Sequence, residues 1–530
     1  MGHPGSRRAR LGIVLLAGFS LVAAACGGSS GSDTATEQTV DENVRGAVQD
    51  QLNSDTSEGD SATTAAPAST ATNIEELEAE WAADREAIVK KLVDGGYGVD
   101  EATKMLKGPD GLEVDLSKCP SDWSETAGLT DTEIKIGQTL AQSGTLADYG
   151  NQTKAWNVYI DYVNEEFGGI TDSEGKTRKV TLVSKDDAYD PTKTIPLVDE
   201  LLDNDNVFAI HTGGSGNTLR VYDRTNNSCV PHPFVWTGHP AWGDPIDHPW
   251  TMGSILAYNT EAILWGSYIE KNLPKGVTVA AAVINNDFGK AYELGFKAFL
   301  DQSDHDIRFV SQLFEPTAPT ITIEMTTLAA ENPDVFIAMT AGVTCTQAII
   351  EAAQNGIAET AQQLWMPSVC KALSFVGEEA VGEQSDGYLV VGGGVIDLND
   401  PAFADKPSIE WARQLLEDAG IDPKSSSNLS AGFYLGWPWI ETLRIAAALP
   451  GGLTRSNMML AMRSLDLQNP FMLDGIRMLT SGAKQVYPVE GSEFARFDAA
   501  EQTWKVEGDI INLAGKSAPC SWDQSVGNCK

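Results

Sequence analysis

The feature that most constrains the fold is a regular alternation of short apolar segments with amphipathic segments from residue 133 onward. Strands are predicted at Glu133–Gly137, Lys179–Ser184, Val207–Ile210, Phe234–Thr237, Val277–Ile284, Val335–Met339, Leu364–Met366 and Tyr388–Val391, and helices at 152–166, 192–203, 258–272, 289–302, 320–331 and 344–355. Such alternation is typical of parallel sheets covered by helices on both faces. There are too many strands for one small sheet, so the chain is predicted to be an α/β protein with two doubly wound parallel-sheet lobes.

The first 25 residues have the pattern of a secretory signal peptide. Three arginines within residues 1–10 precede an apolar stretch from Leu11 to Ala25, which is shorter than the roughly 20 residues of a comfortable membrane span. Cys26 follows three alanines, and this junction resembles the lipobox of bacterial lipoproteins, in which the signal is removed before a lipidated cysteine. We therefore expect a signal peptide over 1–25 and a lipid on Cys26; the alternative is an ordinary cleaved signal with a cysteine nearby.

Two different segments separate this leader from the alternating region. Residues 26–73 are rich in Gly, Ser, Thr, Ala and acidic residues and contain no aromatic residue. Because such a composition buries too little apolar area to offset the entropy lost on ordering, we predict a disordered, lipidated tether, with a transient helix as the alternative for Val40 to Leu52. Apolar residues then recur with helical spacing from Ile74 to Leu92. Residues 74–130 are therefore predicted to form a helical N-terminal extension that packs on the main body.

The acidic composition argues against two classes of partner. The chain has 37 Lys and Arg against 74 Asp and Glu, a formal net charge of -37. Binding to nucleic-acid phosphates requires a basic face, and anionic membrane surfaces attract basic segments. We therefore expect no nucleic-acid partner and no charge-driven contact with a membrane surface.

Six cysteines remain after Cys26, an even number that outside the cytoplasm indicates disulfides. Cys520 and Cys529 are near enough in sequence to close a small loop. Cys345 and Cys370 each follow a predicted strand of one βαβ stretch and can meet at neighbouring strand ends, which leaves Cys119 with Cys229. Other connectivities, and free buried thiols, are the alternatives.

The loops that follow the predicted strands hold the candidate binding residues, because ligands of doubly wound sheets bind beyond the carboxyl ends of the strands. The loop His211–Thr218 combines glycines, which allow close backbone approach, with the hydroxyls of Ser215 and Thr218. The loop Asn285–Gly289 presents Phe288 as a stacking surface. The alternatives are a tight turn capped by Ser215 and a core position for Phe288.

Catalytic and metal motifs are found only in the wrong context. Gly27–Gly31 matches G-x-S-x-G but lies in the predicted tether rather than on a strand-to-helix turn. Ser481–Lys484 matches S-x-x-K without the motifs that accompany it in enzymes. The four histidines between residues 211 and 248 lack the i, i+4 pairing of a metal site. We therefore expect no metal, no cofactor and no enzymatic activity.

Taken in order, these motifs resemble the periplasmic binding proteins for branched-chain amino acids, the type I solute receptors of ABC transporters. The resemblance runs from about 133 to 510 and rests on Ile134–Gly137, Ser143–Gly150, Asn164–Ile170, Asp186–Pro191, Gly214–Gly216 and Phe494–Asp498. It implies two lobes joined by three crossovers around a cleft that closes by hinge motion. The implied division is 131–256 for the first part of lobe I, 257–386 for lobe II, 387–485 for the return to lobe I, and 486–530 for a C-terminal segment of lobe II with a disulfide loop.

The resemblance also assigns candidate ligand contacts, position by position. With Gly214, Thr218 and Tyr149 from the loops themselves, the candidates are Ser215, Thr237, Gly238, His239, Phe288, Thr340, Ala341, Ser368, Tyr434 and Trp439. In family members that bind amino acids, an acid after a proline takes the amino group of the ligand. The equivalent position here is Ser368, after Pro367.

The missing acid bears on the class of solute, because a buried ammonium group needs a counter-charge. We therefore expect a larger or flatter ligand, such as an amide, an aromatic acid or a hydrophobic carboxylate. The alternative is that Glu378 or Glu379 reaches the cleft and restores an acidic partner.

These observations predict a monomeric, lipid-anchored solute-binding protein on the outer face of the cytoplasmic membrane. It is expected to capture a small molecule and deliver it to the permease subunits of an ABC importer. The alternative is a ligand-sensing lipoprotein of the same fold that signals to a membrane partner without transport.

Overall fold

The computed structural model describes residues 41–53, 69–523 and 528–529. The predicted signal peptide, the predicted lipidation of Cys26 and most of the predicted tether lie outside the described residues.

Two helices and a small sheet precede the main body. They are α1 (Glu42–Asn53), α2 (Ile74–Asp94), β1 (Gly98–Asp100), β2 (Met105–Lys107) and β3 (Glu113–Asp115), and the three strands are antiparallel in the order β1-β2-β3. Asn73 caps α2 by accepting a hydrogen bond of 2.9 Å from the backbone N–H of Glu76. The extension thus begins as the predicted helix, but continues as strands and turns rather than as further helix.

The first part of lobe I is built on a four-stranded sheet. Its elements are β4 (Glu133–Leu140), α3 (Gly150–Glu166), β5 (Ile170–Thr171), β6 (Thr177–Asp186), α4 (Pro191–Asp203), β7 (Ala209–Thr212), α5 (Ser215–Leu219), α6 (Tyr222–Asn227), β8 (His232–Val235) and β9 (Thr251–Gly253). The sheet order is β5-β6-β4-β7, and β4 is parallel to both β6 and β7. β8 and β9 form a parallel pair, and a bridge between Gly213 and Trp236 joins this pair to the β7 edge.

Lobe II follows. Its elements are α7 (Tyr258–Asn272), β10 (Thr278–Ile284), α8 (Asp287–Asp301), β11 (Arg308–Phe314), α9 (Thr322–Ala330), β12 (Val335–Met339), α10 (Val343–Gln354), α11 (Ile357–Thr360), β13 (Gln363–Met366), α12 (Leu373–Val376), α13 (Glu378–Val381) and β14 (Leu389–Val391). β10 to β14 are parallel, and β10 is buried along almost its whole length because it lies between β11 and β12.

The chain then returns to lobe I and ends across both lobes. The remaining elements are α14 (Pro407–Asp418), α15 (Asn428–Ala448), α16 (Arg455–Met462), β15 (Asp466–Leu467), β16 (Met478–Leu479), β17 (Gly491–Asp498), β18 (Thr503–Asn512), β19 (Trp522–Asp523) and β20 (Asn528–Cys529). β17 and β18 extend the second sheet antiparallel, which gives the order β11-β10-β12-β13-β14-β17-β18. The prediction of an α/β protein with two parallel-sheet lobes is confirmed, and the chain passes between them after β9, after β14 and before β17.

Two details of the division into lobes differ from the prediction. The return to lobe I at residue 387 is placed too early, because Leu389 and Val390 still pair with β13. The C-terminal segment also leaves lobe II after β18. The backbone N–H of Cys520 donates to the carbonyl of Gly243 in lobe I at 2.8 Å.

Lobe I is organised around α15, which is buried around its whole circumference. All but two of its 21 residues are buried. Gly432 and Gly436 allow α3 to approach, since a Cβ at these positions would lie 2.4 Å from the Gln152 carbonyl oxygen and 2.7 Å from Cδ1 of Trp156. On another face, the Trp81 ring of α2 packs edge-on against Trp437, with the centroids 5.5 Å apart. None of the helices within residues 41–53 and 69–523 combines the length and the apolar character needed to cross a lipid bilayer.

Part of the predicted tether is a helix docked on lobe II. Val44 and Val48 of α1 are 1% and 0% exposed. Arg45 pairs with Glu270 of α7 at 3.3 Å, and Gln51 exchanges two hydrogen bonds of 2.8 Å with the backbone of Asn512. The prediction of disorder is therefore wrong for residues 42–53, where the alternative of a helix holds, because the polar composition of the whole segment hides one short amphipathic stretch.

All three predicted disulfides are confirmed: Cys119–Cys229, Cys345–Cys370 and Cys520–Cys529. The second forms because β12 and β13 are adjacent and parallel, so the segments that follow their carboxyl ends meet. The first ties the N-terminal extension to lobe I.

The docking of α1 is testable by hydrogen exchange. Val48→Asp places a charge where the side chain is 0% exposed, and an unpaired buried charge is strongly unfavourable. We expect the amides of residues 42–53 to exchange rapidly in this variant while α7 stays protected apart from its contact face. Asn43→Asp introduces the same charge at an exposed position of α1 and should leave exchange unchanged. Equal protection of α1 in both variants would contradict the docking.

Candidate functional site

The two lobes meet at the carboxyl ends of their parallel strands, where two adjoining cavities lie. The hinge cavity, about 60 Å³, is lined by residues of two segments that cross between the lobes: Ile255, Leu256, Gly392, Gly393, Val395 and Ile396. The strand-end cavity, about 20 Å³, lies between Gly213 and Gly214 of lobe I and Phe288 and Ala341 of lobe II. Both cavities are also lined by Tyr149, Trp236 and Val369. This location is the expected ligand position for doubly wound sheets.

Contacts across the cleft hold the lobes in a closed arrangement. The backbone N–H of Ser374 in lobe II donates to the Ser427 hydroxyl of lobe I at 3.1 Å, and the Ser374 hydroxyl donates to Asp148 Oδ2 of lobe I at 3.5 Å. At the loop before α10, Leu146 packs so closely that a Cβ on Gly342 would lie 2.0 Å from its Cδ2. Pockets for small ligands usually enclose about 300–1,000 Å³, so a solute requires the lobes to open.

The loop after β7 is shaped by glycine. Gly214 has φ +92°, and a Cβ there would lie 2.4 Å from Cε2 of Tyr189, so only glycine permits this close approach of backbone and ring. The Ser215 hydroxyl lies 2.7 Å from that of Thr237, after β8. The loop is fixed from behind by Asn217, whose Nδ2 donates to Asp187 Oδ2 at 3.0 Å.

Aromatic rings from lobe II form the opposite wall. The Tyr258 ring stacks on Tyr292 with the centroids 4.4 Å apart and meets Phe288 edge-on at 5.1 Å. Burial raises the pKa of Tyr258 well above its usual range, although hydrogen bonding with Thr237, with the Gly238 backbone and with Ser215 opposes the shift. The phenol is therefore neutral, and the Tyr258 side chain lines the strand-end cavity beside Gly213 and Gly214.

Glu261 is an acid at the cleft that the sequence reasoning missed. Its side chain is 0% exposed and accepts hydrogen bonds from the backbone N–H and hydroxyl of Ser368, at 3.0 and 2.6 Å, and from the hydroxyl of Tyr292 at 2.9 Å. Burial raises the pKa of Glu261 to about 8, against the effect of these donors. The signal in the sequence was weak, since Glu261 lies within a predicted helix rather than in a loop.

The charged groups along the hinge cavity are engaged by the protein. Lys371 pairs with the buried Glu493 and donates to the carbonyl of Val395 at 2.8 Å. Asp397 accepts from the backbone N–H groups of Leu373 and Asn399, both at 2.9 Å, and from the Ser430 hydroxyl. Burial raises the pKa of Asp397.

The predicted contact residues fall into three groups. Five line the cavities: Tyr149, Gly214, Phe288, Ala341 and Ser368. Ser215, Thr237 and Gly238 line neither cavity, but Gly238 packs against the Tyr258 ring that lines the strand-end cavity, and Ser215 and Thr237 are hydrogen-bonded to each other. Five pack elsewhere and line neither cavity: Thr218 on Thr212, His239 on Trp522, Thr340 near Cys370, Tyr434 on the Ser254 carbonyl, and Trp439 on Trp156.

The alternative acids do not reach the cleft. Glu378 and Glu379 are exposed at the start of α13 and lie on neither described cavity wall.

The histidines between 211 and 248 have separate packing environments. Burial lowers the pKa of His211, His232 and His239 to about 3 in each case. Although burial disfavours its charged form, hydrogen bonds with Asp244 and Asp223 raise the pKa of His248. In the described part of the chain, no group of three or more His, Cys, Asp or Glu residues is arranged to hold a metal ion.

Comparison with known proteins identifies the family. The sequence model described as "Periplasmic binding protein" matches residues 133–489, and the chain belongs to this family of substrate-binding proteins. A search of curated proteins finds no match.

Solved structures share the fold at low sequence identity. A branched-chain amino acid ABC transporter protein from Thermus thermophilus, with bound valine, has a TM-score of 0.63 and 16% identity, covering 73% of this chain and 98% of that one. A fatty acid ABC transporter substrate-binding protein from Thermomonospora curvata has a TM-score of 0.60 and 19% identity, and the match covers 75% of this chain and 96% of that one. An ABC transporter solute binding protein from Rhodopseudomonas palustris BisB5, in complex with 3,4-dihydroxy benzoic acid, has a TM-score of 0.58 and 17% identity, and the match covers 73% of this chain and 98% of that one.

The buried carboxyl of Glu261 predicts a pH-dependent stability. It keeps its proton up to about pH 8 when folded, but releases it at about pH 4–5 when unfolded. Between these values the unfolded state binds fewer protons, so the free energy of unfolding falls as pH rises. Glu261→Gln removes this loss, and its melting temperature relative to wild type should therefore increase from about pH 5 to about pH 8.

Differential scanning fluorimetry across this pH range measures the effect. Glu383→Gln removes one negative charge at an exposed position of the same lobe and serves as the matched control. If the difference in melting temperature between Glu261→Gln and wild type is as independent of pH as the difference for the control, Glu261 is ionised in the folded protein.

Proposed function

We propose that this protein acts outside the cytoplasm, where it captures a small organic molecule between its two lobes and delivers it to an ABC importer. The observation that carries the proposal is the cleft itself: aromatic and apolar side chains of both lobes converge at the carboxyl ends of two parallel sheets. Amino-acid-like molecules, amides and aromatic or hydrophobic carboxylates are the solute classes to test.

Capture requires that the ligand contact residues of both lobes. Tyr149, Gly214 and Trp236 belong to lobe I, whereas Phe288, Ala341 and Ser368 belong to lobe II. A ligand that touches both sets favours the closed state by its differential affinity for that state. The closed shape, set by hinge motion at the crossing segments, is what a permease would recognise.

We further propose that the protein is a monomer secreted by its signal peptide and lipid-anchored through Cys26. Fourteen residues lie between Cys26 and Asp41, where the docked α1 region begins. A chain of that length spans at most about 50 Å. Anchoring would therefore keep the α7 face of lobe II near the membrane, where permease subunits lie.

A sensor that signals without transport is the second candidate. The observation that favours it is the N-terminal extension, which precedes the region 133–489 matched by the family model. The extension packs on the main body through α2 and through ion pairs such as that between Arg85 and Glu441, at 2.5 Å. Deletion of the gene distinguishes the two functions: loss of solute uptake supports transport, whereas intact uptake with a lost transcriptional or wall response supports sensing.

The capture function is tested by releasing and identifying any co-purified molecule by native mass spectrometry, followed by calorimetry with that compound. Phe288→Ala removes an aromatic wall of the strand-end cavity and should weaken binding about tenfold, since an aromatic contact contributes about 1 kcal/mol or more. Phe309→Ala removes a ring on β11, outside both cavities, and should leave affinity unchanged. Equal affinities for the two variants would contradict binding in this cleft.

A further inference from the structure

A further cavity, outside the cleft, is large enough to hold a small molecule. It encloses about 430 Å³ between the N-terminal extension and lobe I, and it shares no lining residue with the two cavities of the cleft. We call it the extension cavity. α2 contributes Leu77, Trp81 and Asp84 to its wall, and lobe I contributes Lys406, directly before α14, and Arg477, directly before β16. Its volume lies within the usual range for small-molecule pockets, about 300–1,000 Å³.

The cationic side chains of this wall are each paired with a carboxylate. Arg477 pairs with Asp84 at 3.3 Å, and Lys406 pairs with Asp474 at 2.8 Å. An anionic or cationic ligand would compete with one member of a pair and be repelled by a member of like charge. A neutral ligand therefore fits this wall better than a charged one.

The ion pairs leave hydrogen-bonding groups of both kinds unused. Lys406 Nζ has three N–H donors and uses one of them on Asp474 Oδ1. Arg477 donates from Nε and Nη2, and in the described part of the chain no residue accepts from its Nη1. At the edge of the cavity, Glu80 accepts from the Ser69 hydroxyl at Oε2, at 2.6 Å, and keeps Oε1 as an acceptor. The wall thus carries both donors and acceptors for a ligand.

Gln468 adds a neutral side chain with the same dual character. It lines the cavity, and both its amide atoms, Nε2 and Oε1, are buried without a hydrogen-bond partner among the residues that the structure describes. A buried amide without partners is unfavourable. A group that both donates and accepts, and that reaches this amide, therefore gains hydrogen bonds that the protein itself does not supply.

We propose that the extension cavity binds a neutral saccharide of about the size of a disaccharide. Each sugar hydroxyl donates one hydrogen bond and accepts others, so hydroxyls match a wall that has donors and acceptors but compensated charges. Hydrogen bonds in which one partner is ionised are also stronger than those between neutral groups. The C–H faces of the sugar rings pack on the apolar part of the wall, which includes Leu77, Trp81 and Pro407. This site is independent of the solute that the cleft captures.

Binding in this cavity joins the extension to lobe I, because the two sides of the wall belong to these two parts. A ligand that binds only the folded protein stabilises it. A bound saccharide should therefore raise the melting temperature and slow hydrogen exchange in α2.

Calorimetry, thermal shift and hydrogen exchange on the wild-type protein test the proposal with maltose, cellobiose and N,N′-diacetylchitobiose. The dipeptide leucylleucine, a zwitterion at neutral pH, is the charged probe. At least one disaccharide should bind with a Kd of about 1 mM or lower and protect α2, and the dipeptide should bind at least about tenfold more weakly.

Two variants locate the binding. Ala83→Phe introduces a ring at an exposed position of α2 that lines the cavity, and it should weaken disaccharide binding at least about tenfold. Ala79→Phe introduces the same ring at an exposed position of α2 that does not line the cavity, and it should bind as the wild type does. Gln468→Leu removes both amide groups at similar size and should also weaken binding about tenfold.

Three results would overturn the proposal. The first is that none of the three disaccharides binds to the folded wild-type protein. The second is that a disaccharide binds equally to wild type and Ala83→Phe but more weakly to Phe288→Ala, which places the sugar in the cleft. The third is that leucylleucine binds more tightly than every disaccharide and is lost in Ala83→Phe, which assigns the cavity to a charged ligand.

Discussion

The burial of α15 on all sides is the constraint on which lobe I depends. A helix that is apolar around its circumference is stable in water only when every face is covered. In this protein α3 covers one face through Gly432 and Gly436, and α2 covers another through Trp81. The N-terminal extension is therefore part of the core of lobe I and not an appendage. The buried Glu441 of α15 reinforces this, because Arg85 of α2 and Arg444 both pair with it and offset the burial that raises its pKa.

The C-terminal end of the chain adds a link between the lobes to the three crossing segments. The segment after β18 runs from lobe II to the Gly243 loop of lobe I, where the Cys520 N–H donates to the Gly243 carbonyl at 2.8 Å. On the way it meets the start of the α1 region, since the Ala518 N–H donates to Asp41 Oδ2 at 2.5 Å. Opening of the cleft must therefore displace this segment as well as bend the crossing segments, which favours the closed arrangement.

The sequence predicts elements that show a clear hydrophobic pattern, and misses those whose residues show none. β10 and β12 are buried runs of apolar residues and were predicted close to their observed bounds. β11 was missed, because it is an edge strand whose half-exposed residues show no such run. α15 was missed as a helix because it contains Gly432, Gly436 and Pro438 and lacks the polar face by which amphipathic helices are recognised. The Cys345–Cys370 disulfide was predictable because neighbouring parallel strands end at the same edge of a sheet.

The candidate site shows a different limit, which is that a carboxyl group can reach a cleft residue from a helix rather than from the loop in which the sequence motif is read. The family position that holds an acid in amino-acid binders is Ser368 in this chain, so the sequence predicts that the acid is missing. Ser368 nevertheless donates two hydrogen bonds to the carboxyl of Glu261. Glu261 and Tyr258 lie three residues apart on α7, so one helical turn directs both toward the cleft. Glu261 accepts hydrogen bonds from Ser368, and Tyr258 lines the strand-end cavity. Because burial raises the pKa of Glu261 to about 8, its neutral form is favoured at neutral pH. If the protein captures a solute as we propose, recognition therefore depends mainly on the shape of the hinge cavity and on its aromatic walls, Tyr149 and Trp236.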